Sequence, residues 1–130
     1  MRIMTTIMSL AALALLSNIS PAISASDAVR TMAEITMNMN HFPGDADKQA
    51  LSEIISSTDS SDAEVALATA IMNFAHSVPE TSKESLNAIV SDDSASADLR
   101  ELAAVILRTN HKPAESDVAR LATIAATAEN

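Results

Sequence analysis

The chain's only three histidines, His41, His76 and His111, stand at equal intervals of 35 residues. Laying the sequence on itself at that period needs no gaps. Leu51, Leu86 and Leu121 fall together, as do Ile54, Ile89 and Ile124, and Ala33, Ala68 and Ala103. Met32, Leu67 and Leu102 precede the alanines. Asp45, Glu80 and Glu115 form an acidic column. Several columns in one ungapped register specify a supersecondary unit used three times, not one irregular domain.

Each unit reads as two helices. The first is expected at 28–40, 62–76 and 97–110, and the second at 45–57, 80–91 and 114–128. In the middle unit Leu67, Ala70, Ile71, Phe74 and Ala75 recur at helical spacing. Leu51, Ile54 and Ile55 give the second helix its apolar stripe, matched by Leu86, Ile89 and Val90 and by Leu121, Ile124 and Ala125. Ser61 with Glu64, and Thr81 with Glu84, have the spacing of capping boxes. Pro43, Pro79 and Pro113 fall between the helices, where a residue without an N–H ends one helix and can open the next. The links at 57–61 and 92–96 carry Ser, Thr and Asp, which favour turns and caps. Breaks are therefore expected near 41–44, 57–61, 76–80, 92–96 and 111–114. Leu67, Ile71, Leu86, Ile89 and Leu102 should be buried.

The fold class that follows is all-α: three αα-hairpin repeats of 35 residues, six short helices in all. They form a short α-solenoid or a small helical bundle. One hairpin cannot bury its own stripe, so neighbouring units must cover it. The period resembles that of tetratricopeptide repeats, but their Trp-Leu-Gly-Tyr pattern is absent, and here the proline separates the two helices instead of following the second. The resemblance covers architecture alone.

The first 25 residues read as an export signal. Arg2 is their only charge, an apolar stretch runs from Ile7 to Leu16, and small residues lead through Pro21 to Ala22 and Ala25. This core is too short for a membrane span, which needs about 20 apolar residues. Cleavage is expected after Ala25, with Ala22 as the alternative. The expected domains are a signal peptide at 1–25 and one helical repeat domain at 26–130, with units at approximately 28–61, 62–96 and 97–130. The expected location is periplasmic or secreted, by bacterial export.

Composition removes many function classes. The chain has no Cys, so it has no disulfide, thiolate metal site or cysteine nucleophile. Its formal net charge is −9, with no Trp or Tyr and only 2 Phe. Such a chain lacks the cationic stripe and stacking platforms of nucleic-acid binders. No G-x-S-x-G elbow, H-E-x-x-H pair, phosphate-binding glycine loop or dinucleotide fingerprint is present.

The histidine column is expected to serve the turns, each imidazole capping carbonyls at the end of a first helix. Equivalent positions on stacked helices lie about 8–10 Å apart, whereas zinc holds imidazole nitrogens at about 2.0–2.1 Å. On that spacing the three would not converge on one ion. Met37 and His41, four apart with Met39 between, are the second metal candidate, since thioether and imidazole suit copper. Met37 aligns with Met72 and Leu107, and Met39 with Phe74 and Thr109, which is a packing pattern. The acidic clusters around Asp45, Asp59 and Asp92 lack the calcium-loop spacing and sit where helix starts favour negative charge.

The resulting expectation is a non-enzymatic, exported helical-repeat protein that acts as an interaction module for a protein or peptide. No catalytic, cofactor or metal residues are assigned. The partner would present a basic surface and bind in a salt-sensitive way, with no nucleic acid and no membrane involved after signal cleavage. The alternative is a small periplasmic protein binding copper or another cation.

Overall fold

The computed structural model describes residues 20–127, with side chains from Asp27 to Ala126. Residues 1–19, most of the expected export signal, lie outside that range. Six helices follow in order: α1 (Ser20–Asn38), α2 (Asp45–Ser56), α3 (Asp62–Met72), α4 (Glu80–Ser91), α5 (Ala97–Arg108) and α6 (Glu115–Thr127). The protein is all-α, with no strand among the described residues. None of these helices is long and apolar enough to cross a membrane.

The helix starts follow local chemistry. Ser61 and Glu64 form a full capping box: Ser61 Oγ accepts from the Glu64 N–H at 3.1 Å, and Glu64 Oε1 from the Ser61 N–H at 2.9 Å. Ser96 caps α5 by accepting from the Leu99 N–H at 3.2 Å. The box expected from Thr81 and Glu84 does not form. Pro79 occupies the N-cap position of α4 and makes no side-chain cap bond, so Thr81 already lies inside the first turn.

The first helix of each unit ends sooner than its apolar periodicity suggests: at 38, 72 and 108 instead of 40, 76 and 110. The last turn tightens, with Met39, Phe74 and Thr109 donating their N–H to carbonyls three residues back. Phe74 stays buried outside the helix, while Ala75 is exposed.

Packing joins the second helix of one unit to the first helix of the next. The closest pairs are α2 with α3, α4 with α5, and α6 with α1. The third pair has no linker, so contact between the two ends of the chain closes a ring. Inside it, α1, α3 and α5 touch one another. The units thus form a closed bundle around a pseudo-threefold axis, not an open stack. The aligned columns are its core: Leu51, Leu86 and Leu121 are fully buried, as are Ala33, Ala68 and Ala103. Met32, Leu67 and Leu102 are too, and Ile71 and Ile89 are buried as expected.

Two buried carboxylates differ in kind. Glu64 is 2 % exposed in a column that holds Val29 and Leu99 in the other units. Burial raises its pKa, outweighing the bonds from Ser61. Asp117 receives a two-pronged grip from Arg108, Nη2 to Oδ1 at 2.7 Å and Nε to Oδ2 at 3.0 Å. Those bonds hold its pKa below the usual carboxylate range, against the effect of burial. A lowered folded pKa means that Asp117 contributes stability above the ordinary carboxylate pKa. The contribution is lost as pH falls through the folded value. Asp117→Asn should therefore cost about 1–3 kcal/mol at neutral pH, and the difference from the parent should shrink on acidification. Urea melts of both proteins from neutral to acidic pH check this.

Candidate metal centre

Each histidine sits at the apex of the turn between the first and second helix of its unit. The chain is pinned on both sides of it. Two residues earlier, Met39, Phe74 and Thr109 are buried; two residues later, Pro43, Val78 and Pro113 are buried. The residues between these anchors are squeezed outward. The turn is so tight that the residues flanking each histidine, Asn40 with Phe42, Ala75 with Ser77 and Asn110 with Lys112, face one another in isolated bridges.

The backbone at all three apices is left-handed: φ is 76° at His41, 70° at His76 and 68° at His111, the only positive values among described non-glycine residues. Left-handed backbone at a residue with a Cβ is disfavoured, and glycine adopts it freely. Strain of that kind persists where surrounding structure over-determines it, and it gathers at functional sites. The one glycine, Gly44, has an ordinary φ of −75°. The chain thus spends histidine, three times, where glycine would cost least.

The three turns are tied into a closed circuit. The His76 N–H donates to the His41 carbonyl at 2.7 Å, the His111 N–H to the His76 carbonyl at 2.6 Å, and the His41 N–H to the His111 carbonyl at 2.5 Å. Every unit thus contributes one donor and one acceptor, and the last bond joins the first unit to the third. This circuit, together with the α1–α6 contact, brings the histidines to the pseudo-threefold axis.

The imidazoles follow their backbones. Ring centres lie 5.1 Å apart for His41 and His76, 5.0 Å for His41 and His111, and 4.8 Å for His76 and His111, all edge to face. One nitrogen from each lies within 4.8 Å of the other two. His41 is half-buried; His76 and His111 are exposed.

The expectation that the histidines stand too far apart to share an ion is corrected by this geometry. Stacked helices would have set them about 8–10 Å apart; ring closure points all three turns at one axis. The capping role does not appear either: among the described residues no imidazole hydrogen-bonds a helix carbonyl, and each histidine lies beyond the helix end. Three donors mutually within 4.8 Å place each no more than about 2.8 Å from their common centre, against about 2.0–2.1 Å for zinc–imidazole bonds. The ring centres are better placed still. A metal bonded tetrahedrally to three imidazoles holds their centres roughly 5 Å apart, and the observed separations are 4.8–5.1 Å. Sharing one ion requires the rings to turn so that a nitrogen of each moves closer to the axis.

Met37 and Met39 do not join this group. Met39 is 3 % exposed in the core and Met37 packs against it. Both line a groove of about 400 Å³ between the end of α1 and the start of the third unit's second helix. His41, past the end of α1, shares no helix face with Met37. The two sulfurs pack the seam where the ring closes, in line with their alignment to Leu107, Phe74 and Thr109.

No family model, curated protein or solved structure matches the chain, so the reading of its site rests on its own geometry.

Proposed function

We propose that the protein binds one transition-metal ion per chain through His41, His76 and His111. The observation that carries this reading is the convergence of one imidazole from each unit on the axis, held there by left-handed turns and a closed backbone circuit. Nitrogen donors suit zinc, copper, nickel and iron, whereas calcium and magnesium require oxygen. The role proposed is binding or buffering rather than catalysis. We place it outside the cytoplasm, on the charge, apolar core and small-residue pattern of 1–25. The leading expectation from the sequence, an interaction module with a basic partner, has no specific feature among the described residues in its favour, and the geometry supports the metal-binding alternative better.

Native mass spectrometry of the protein with Zn²⁺, Cu²⁺, Cu⁺ and Ca²⁺ in turn tests the reading. One equivalent of zinc or copper should be retained, and no calcium. Failure to retain any transition metal, or retention of calcium alone, would overturn it.

A further inference from the structure

We infer that the ion held by this triad keeps an open coordination position on the solvent side and takes up a small monodentate anion there. This rests on the metal reading above and deepens it. Structural zinc sites close with four protein ligands, while sites that exchange ligands hold three and leave the fourth to solvent or substrate. Among the described residues the cluster contains three donors and no carboxylate joins it. The inner side of the axis is closed: the N–H and carbonyl of each histidine are committed to the circuit, and Met39, Phe74 and Thr109 fill the space behind the turns. The outer side is open, because His76 and His111 are exposed.

The rim selects the charge of the ligand. The six residues flanking the histidines are Asn40, Phe42, Ala75, Ser77, Asn110 and Lys112, and all are exposed. In a chain of 17 acidic residues this set holds none, and it carries one lysine. The nearest acids in the sequence, Asp45, Glu80 and Glu115, start the second helices, where the helix dipole favours negative charge. A divalent ion on three neutral imidazoles also keeps its full charge, which draws an anion to the vacant position.

Cobalt(II) reports coordination by its visible spectrum, and azide is a suitable monodentate probe. The protein loaded with one equivalent of Co²⁺ should show ligand-field bands that shift saturably with azide, fitting a single site, and light scattering should give the same molecular mass with and without cobalt. If cobalt binds but azide leaves its spectrum unchanged, the open position is refuted and the triad reading survives. If cobalt binding instead yields a dimer, the triad of a second copy fills the position and the inference is likewise refuted. If cobalt does not bind, the metal reading falls and this inference falls with it.

Discussion

Leu86→Ala is expected to destabilise the protein by about 2–5 kcal/mol, the range for removing a packed leucine side chain without collapse of the site. Leu86 is fully buried on α4 and belongs to the column that includes Leu51 and Leu121. The helix that carries it packs on α3 and α5, so the cavity would open where two units meet. A domain of this size has roughly 5–15 kcal/mol to lose, and its thermal midpoint should drop by roughly 10 °C or more. The same replacement at Leu51 or Leu121 should cost a similar amount, because ring closure makes the three sites alike. In an open stack the terminal units would tolerate it better. Thermal melts of the three variants distinguish these outcomes.

His76→Asn is expected to weaken metal binding by at least about 100-fold, since even groups that only support a ligand are worth 10–100-fold. Asparagine tolerates left-handed backbone better than most residues, so the turn and its backbone bonds should persist. The melting curve without metal should stay close to that of the parent. His41→Asn and His111→Asn should each produce a loss of the same order, because one ion at the axis needs all three units. Calorimetric titration with zinc measures all four proteins. A single variant that binds as the parent does would show that its histidine serves the turn alone.

Much of the fold is legible in the 35-residue register. The apolar columns identify the core, and the Ser, Thr and Pro punctuation gives the helix boundaries to within a few residues, except at the start of α1, which begins at Ser20 and not at 28. The first helices are misjudged at their ends because Phe74 and Ala75 continue the apolar pattern past Met72. Buried side chains hold the turn in place just as they hold a helix, and periodicity does not separate the two. The site is misjudged for one reason, the assumption of an open stack. Its equal spacing shows that the histidines are equivalent, but the distance between equivalent residues depends on how the units are arranged. In a stack they form a ladder; in a ring of three they meet at the axis.

A signal against the stack is nevertheless present. The end units of a solenoid need a polar outer face, yet Leu51 and Leu121 are as apolar as Leu86, and Met32 and Leu102 as apolar as Leu67. Neither end unit is dressed as a cap, in keeping with the contact between α1 and α6. The left-handed backbone at the histidines has no comparable signature. It arises from the anchors at Met39 and Pro43 and their counterparts, whose burial depends on the closed ring.

X-ray absorption at the zinc edge of the one-equivalent complex tests the central claim most directly. The triad predicts three imidazole nitrogens at about 2.0–2.1 Å, with the remaining scattering from light oxygen or nitrogen atoms of an exogenous ligand. Fewer than three imidazoles, a shell made only of carboxylate oxygens, or a sulfur contribution from Met37 or Met39 would contradict it.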